Sequence, residues 1–406
     1  MKPLVEAQRE VLNGVRRLPE VDVDLDDALT LVLSEPVVAP HDVPPFANSA
    51  MDGFAVQAAD VAAPHSELEI LEDVAAGHVA RGEVRPGTAI RIMTGAPMPA
   101  GADTVVRVED TAVTDRRVTV RVAVARGTAV RMAGGDVRAG AVVFEAGTAL
   151  TPPHLGVLAT IGVARPRVYR NPVVAVMSTG DEVLAPDTEE LAPGTIRDAN
   201  RPLLKGLLAE VGVTVRDFGI VGDDADTLRA ALRAAAVECD AIITSGGVSM
   251  GDYDLVKQVL AEVGSVELWK VAMQPAKPFA FGSINGTPLF GLPGNPVSVL
   301  VAFENFVRPG LLSMRGDRRL FRPLTTGVWG ERVETDPAKT VFLRVVRDGA
   351  SVKLAGDQGS NVLSATTNAD ALAVVDVGVG VMEVGASVPI LEFRLPASRT
   401  VEEVLG

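Results

Sequence analysis

The chain has 406 residues and carries 52 acidic against 38 basic side chains; its formal charge of −14 repels duplex phosphates and excludes general nucleic-acid binding. A composition of 47% hydrophobic and 22% charged residues suits two to four packed globular domains. The single cysteine, Cys239, excludes an intrachain disulfide and fits a cytoplasmic setting, while four scattered histidines lack zinc-ligand spacing.

Met1-Lys2-Pro3 leads into a charged amphipathic stretch, with no secretory pattern expected. Residues 1–35 carry two helical stripes, Val5, Val11, Leu12 and Val15, then Leu25, Ala28, Leu29 and Val32. From about 40 to 150, short β-type runs cut by glycine and proline take over, at 68–71, 89–92, 104–107 and 118–122. Thr151-Pro152-Pro153 then predicts a helix start with proline in the first turn.

From 172 the grammar becomes βαβα. Strands are predicted at 173–177, 213–221 and 241–244. Between them lie one helix carrying Leu203, Leu204, Leu207, Leu208 and Val211 and another carrying Leu228, Ala231, Leu232 and Ala235. That alternation predicts a parallel sheet with helices on both faces. Asn285-Gly286, between Phe279-Ala280-Phe281 and Pro288-Leu289-Phe290, predicts a hairpin, and a helix with Val299, Leu300 and Phe303 follows. The uncharged run 283–303 is punctured by glycines and prolines, so it reads as hairpin and loop rather than a membrane span. Beyond about 320, alternation at 341–346, 352–354 and 371–377 predicts a small all-β domain.

The most informative run is Ser245-Gly246-Gly247-Val248-Ser249-Met250-Gly251-Asp252-Tyr253-Asp254. A buried strand precedes it, and Leu255, Val256, Val259, Leu260 and Val263 follow at helical spacing. Strand, small-residue loop and helix entrance together make an anion cradle, because glycines let backbone N–H groups approach the ligand. Ser178-Thr179-Gly180-Asp181-Glu182 and Gly222-Asp223-Asp224 also follow strands, and ligands of open α/β sheets sit beyond strand carboxyl ends. The three loops place Glu182, Asp223 and Asp254 at one crevice, an oxygen donor set suited to Mg2+ shared with a phosphate. Each loop alone also has a plainer reading. Asp223 or Asp224 serves as a helix cap, and Ser178–Glu182 or Gly291-Leu292-Pro293-Gly294-Asn295-Pro296 as an ordinary turn. Lys270 and Lys277 are expected on the same side, where an acidic chain needs positive charge to hold an anion.

Six strings, in this order, resemble the molybdopterin molybdenumtransferase family, MoeA in bacteria and the gephyrin E domain in animals. The first three are Asn48-Ser49-Ala50-Met51-Asp52-Gly53-Phe54-Ala55-Val56, Ile92-Met93-Thr94-Gly95-Ala96-Pro97 and Gly101-Ala102-Asp103-Thr104-Val105-Val106. The others are Ser178-Thr179-Gly180-Asp181-Glu182, Ser245-Gly246-Gly247-Val248-Ser249 and Gly291-Leu292-Pro293-Gly294-Asn295-Pro296-Val297-Ser298. The resemblance spans nearly the whole chain and implies an elongated multidomain α/β plus β architecture. Residues 1–45 with 137–170 would form a discontinuous linker and dimerisation domain, and 46–136 a small β-rich domain. Residues 171–318 would form the α/β molybdopterin-binding domain around a central parallel sheet, and 319–406 a β-barrel-like domain.

The implied activity is a Mg2+-dependent transfer in which molybdate enters adenylylated molybdopterin and AMP leaves. The implied assembly is a homodimer whose active site lies between the α/β domain of one subunit and the small β domain of the other. The molybdopterin adenylyltransferase is a candidate partner. By motif, Asp52 and Thr94 would reach in from the second subunit, with Asp136 of Gly134-Gly135-Asp136 nearby. Glu182, Asp223 and Asp254 fall on the family's acidic positions and Lys270 on its Trp-Lys position; Lys277 completes the catalytic set. Ser178, Thr179, Gly180, Ser245, Gly246, Gly247, Ser249, Pro293, Gly294, Asn295 and Pro296 are the expected substrate cradle. Arg344 and Ser360 would bind molybdate with a charged fork and a hydroxyl. Two positions depart from the pattern. Ala276 stands where the family usually has glycine, and Gln274 where some relatives have lysine. The alternatives are the adenylyltransferase itself, which needs no counterpart to 1–170, and a gephyrin-like scaffold, whose fused partner domain has no match here. A nicotinamide dehydrogenase is disfavoured, since no Gly-x-Gly-x-x-Gly loop follows the first α/β strand.

Overall fold

The computed structural model describes residues 1–247 and 255–393, so Ser249 and Asp254 lie outside the described residues. Contacts divide the chain into two units, one of 22–29 and 33–167, the other of 1–21, 30–32 and 168–406. In the first unit a six-stranded sheet runs in the order Thr104–Arg107, Gly53–Val56, Thr88–Ile92, Ser66–Val74, Arg117–Val120, Thr111–Thr114. Alternation sends Phe54 and Val56 into one apolar cluster and Ala55 with Ile90 and Ile92 into another, so both faces of its centre are buried. Gly53 has no room for a side chain: a Cβ there would sit 1.9 Å from the Val106 carbonyl oxygen. Gly53→Ala is therefore expected to cost about 3 kcal/mol by forcing the strand pair apart. A lower urea midpoint by circular dichroism checks this, and an unchanged midpoint would mean the strands shift freely.

The second unit holds the α/β core. Its strands are β1 (Val173–Thr179), β2 (Thr214–Val221), β3 (Ala241–Ser245), β4 (Ser265–Lys270), β5 (Pro278–Ile284) and β6 (Thr287–Leu292), in the sheet order β2-β1-β3-β6-β5-β4. Helices α1 (Asn200–Val211), α2 (Ala225–Glu238) and α3 (Leu255–Val263) connect them. Val174, Val176 and Ile243 pack with Leu204, Leu208, Val299 and Phe303 on one face. Ala175, Met177 and Ile242 pack with Leu228, Leu232, Val256 and Val259 on the other. That is the two-sided burial expected of the βαβα pattern. Cys239 belongs to this second cluster, and burial pushes its thiol up to about 11, which suits an inert packing residue.

Two expectations change. The sheet is mixed rather than purely parallel, because the two-residue Asn285-Gly286 turn reverses the chain and makes β5 antiparallel to β6 and β4. Both turn residues have positive φ, 50° and 86°, as a tight hairpin requires. The stripe at 25–32 is also not an α-helix. Leu25–Asp27 closes one 3-10 turn, Thr30 turns to φ 69°, and Val32–Leu33 is extended. The residue types favour that outcome, since aspartates prefer to cap and valine prefers a strand.

A continuous helical rod covers Pro296–Ala302, a π turn at Phe303–Val307, and Arg308–Met314. Among the described residues it is the one helical stretch long and apolar enough to cross a membrane, but 89% of its apolar window is buried inside the protein, as a core helix. Beyond it, Leu324–Trp329, β7 (Thr340–Asp348), Ser351–Leu354, Ala371–Val375 and Ser387–Glu392 close into a barrel, since Ala371–Val375 pairs back onto β7. Trp329, Leu343, Val345, Val352 and Ile390 fill its interior.

Candidate active site

Strand direction decides which loops share an edge. β1, β2, β3, β4 and β6 are parallel, so Thr179, Val221, Ser245, Lys270 and Leu292 all end at one rim. The reversed β5 begins there, which brings Lys277 to the same rim. The three predicted loops follow the neighbouring strands β2, β1 and β3, but Lys270, Lys277 and the 291–296 turn lie farther along the same edge. Neighbouring strands are about 4.8 Å apart, so the loop after β2 and the end of β4 stand roughly 24 Å apart along it. Lys270, on the outermost strand, is exposed and lines neither cavity described below.

At the β1–β2 end, the Asp223 N–H donates to Asp181 Oδ1 at 2.8 Å and the Asp181 N–H to Asp223 Oδ2 at 3.4 Å. The cap of α2 is Asp224, whose Oδ1 accepts from the Thr227 N–H at 2.8 Å. The Thr227 hydroxyl, then its N–H, holds the Asp224 carboxyl below the usual range. Asp223 is therefore released from capping, and its carboxylate is exposed beside the Glu182 loop. Among the described residues no three His, Cys, Asp or Glu side chains gather closely enough to hold a metal. Of the expected ligands, Glu182 and Asp223 are described and Asp254 is not. Two exposed carboxylates still fit Mg2+, which takes few protein oxygens and keeps several waters.

Between β1, β3 and β6 lies a cavity of about 550 Å3, with Ser178, Thr179, Glu182, Asn200, Ser245 and Asn295 in its lining. Gly246, at φ 96°, makes the close approach possible, because a Cβ there would lie 2.7 Å from the Thr179 carbonyl oxygen. Asn200 escaped the sequence reading. Its Nδ2 donates to Ser245 Oγ at 2.8 Å and to the Gly294 carbonyl at 2.6 Å, tying two predicted loops together. The Ser178 hydroxyl and Asn200 Oδ1 are buried without a hydrogen-bond partner. The signal for Asn200 was Asp198, which accepts from the Asn200 and Arg201 N–H groups at the entrance of α1.

A second cavity, of about 400 Å3, opens where the rim meets the barrel. Lys277, Asn295, Ser298, Lys339, Gln358 and Ser360 help to line it. Asn295 belongs to both cavities, and its Nδ2 donates to Ser360 Oγ at 2.9 Å. Arg344 does not present a fork here. It is 1% exposed, and its Nη2 donates to the Asp357 carbonyl at 2.5 Å and the Gly359 carbonyl at 3.2 Å. Burial pushes this guanidinium down and Asp357 partly offsets it, so Arg344 positions the loop that carries Ser360. Ala276 has φ 70° and is buried. Left-handed strain of about 1–2 kcal/mol is nearly offset by a buried methyl, about 0.8 kcal/mol, and by a stiffer unfolded chain, about 0.4–1 kcal/mol, which explains why alanine is tolerated there.

In the other unit, Asp52 Oδ1 accepts from the Thr94 N–H and from the Thr94 hydroxyl, both at 2.7 Å. These bonds, the main-chain one first, hold the exposed Asp52 carboxyl below its usual range. Asp136 is exposed on a separate loop, anchored by its N–H to the Val43 carbonyl at 2.9 Å.

Three family models match this chain: the MoeA N-terminal region (domain I and II) over residues 2–162, a probable molybdopterin binding domain over 175–313, and the MoeA C-terminal region (domain IV) over 326–393. A molybdopterin molybdenumtransferase 2 of Mycobacterium tuberculosis is 39% identical over 398 residues, covering 95% of this chain and 98% of that protein. A molybdopterin molybdenumtransferase of Haemophilus influenzae is 35% identical, covering 92% and 93%. The crystal structure of a molybdopterin biosynthesis MoeA protein from Pyrococcus horikoshii superposes with a TM-score of 0.83 at 30% identity, covering 97% and 99%.

Proposed function

Since the chain belongs to the molybdopterin molybdenumtransferase family and is a transferase of molybdenum cofactor biosynthesis, we propose that it inserts molybdate into adenylylated molybdopterin and releases AMP with the help of Mg2+. The observation that carries this reading is the pair of cavities on one sheet rim, each with hydroxyl and amide side chains in its lining, joined through Asn295. A substrate with an anhydride between two bulky ends needs such a double site, with the small oxyanion held beside it. Cleaving the P–O bond of the anhydride builds charge on phosphoryl oxygens, and fixed donors aimed at that charge lower the barrier. Ser178, Ser245 and the Gly246 loop orient the phosphate end, while Lys277 and Ser360 face the oxyanion. Glu182 and Asp223 would hold Mg2+, which supplies charge neutralisation when bound.

The adenylyltransferase reading leaves the matched regions 2–162 and 326–393 without a role. We place the protein in the cytoplasm as a homodimer. Single-turnover AMP release from adenylylated molybdopterin is expected to require both molybdate and Mg2+. Full release without either, or none with both, would overturn the proposal. Asp223→Ala is expected to raise the Mg2+ concentration for half-maximal rate by about tenfold or more. An unchanged Mg2+ dependence would remove Asp223 from the metal role.

A further inference from the structure

The second cavity has a cation that the sequence did not single out. Residues Met273–Gln274 pair in parallel with β7, Met273 against Thr340 and Gln274 against Val341, and the Thr340 N–H donates to the Ala272 carbonyl at 3.0 Å. That ladder fixes Lys339, one residue before β7, beside Gln274. The Lys339 ammonium lies 3.4 Å from Gln274 Oε1 and 2.6 Å from Asp336 Oδ2, and its side chain is only 19% exposed. Asp336 sits in a turn in which its Oδ1 accepts from the Ala338 N–H at 2.9 Å. The hydrogen bond from Lys339, then that from Ala338, with the Lys277 charge adding to them, holds its carboxyl below the usual range. Lys277 and Lys339 therefore share one cavity wall, and both act on the Asp336 carboxylate.

We propose that Lys339 is an oxyanion-binding residue that works with Lys277, and that Asp336 is its exchangeable counter-ion until a tetrahedral dianion enters the cavity. This rests on the functional reading above, which makes molybdate the dianion. A partly exposed lysine–aspartate pair contributes little to stability, so giving it up costs little. Two ammonium groups, the Ser360 hydroxyl and the amide of Asn295 then match the charge and the several acceptor oxygens of a tetrahedral dianion. Gln274 is the neutral neighbour that leaves Lys339 as the second cation of the site.

Equilibrium molybdate binding by calorimetry, together with single-turnover AMP release, tests this on the full chain. Lys339→Gln is expected to weaken molybdate binding about tenfold to a hundredfold. Adding Gln274→Lys to that variant should restore most of the loss, because it returns an ammonium to the same wall. Asp336→Asn should tighten molybdate binding several-fold, an effect that a merely structural ion pair would not produce. If wild-type protein turns over substrate while Lys339→Gln binds molybdate normally, the proposal is overturned. It is equally overturned if the loss is not restored by Gln274→Lys and Asp336→Asn weakens binding. Wild-type protein that binds molybdate through Lys339 but never releases AMP would instead sink the functional reading and leave this one standing.

Discussion

Lys277→Met is expected to slow AMP release by about a hundredfold to a thousandfold at fixed molybdate, the usual effect of deleting one preorganised donor from a charged transition state. The size follows from how few positive charges the second cavity contains. Among the described residues its lining carries only Lys277 and Lys339, since Arg344 is buried behind the Ser360 loop. Lys277 also sits where the reversed strand β5 begins, so its main chain is fixed: its carbonyl accepts from the Val271 N–H at 2.8 Å. Methionine keeps the apolar stem and removes only the ammonium. Single-turnover rates across a molybdate series measure the effect, and a rate within about threefold of wild type would take Lys277 out of the machinery.

The second large effect is on stability. Glu304 lies on the π turn, 3% exposed, and its carboxylate grips Arg322 in a two-pronged arrangement at 2.9 and 3.0 Å. Arg308 stands 4.0 Å away, and Arg322 reaches on to Glu210 at 3.2 Å. Burial alone would push the Arg322 guanidinium down, but the hydrogen bonds and charges of Glu304 and Glu210 together outweigh it and the net direction is up. Glu304→Ala leaves two arginines without their buried partner, and about 3–5 kcal/mol of stability should go with it. Replacing Glu304 and Arg322 together by methionine should cost much less, because no lone charge remains. Both tryptophans, Trp269 and Trp329, belong to this unit, so their fluorescence in urea reports its unfolding. Equal losses in the single and double variants would show that packing, not charge, is what Glu304 provides.

Much of the site was legible because it depends on local grammar. Strand, small-residue loop and helix recur three times, and the Asn285-Gly286 hairpin contains the information that β5 runs backwards. What stayed hidden depends on pairing between distant segments. Arg344 sits in a run of alternating apolar residues and looks available, yet its partners are carbonyls of a loop that folds back over it. Lys339 looks like any surface lysine until β7 pairs with Met273–Gln274. The helix from 296 was legible from Val299, Leu300 and Phe303, all buried as expected, but nothing in the spacing announced the π turn at Phe303–Val307, because the helix is buried on every side there. The stripe at 25–32 failed for the opposite reason, since four apolar positions at helical spacing do not outweigh three aspartates and a left-handed threonine.

The barrel is fastened to the α/β core by the covalent passage through 315–323, by the short ladder between Met273–Gln274 and β7, by the bonds from Asn295 and Val297 to Ser360, and by Phe342, Leu372 and Leu391, which pack into the α/β core. Attachment at several points removes the swinging motion that a single tether would permit. What remains is sliding or peeling along that ladder, which would break main-chain hydrogen bonds at the mouth of the very chamber that holds Lys277 and Lys339. The oxyanion site proposed above therefore lies on a seam pinned at several points rather than in a hinged cleft.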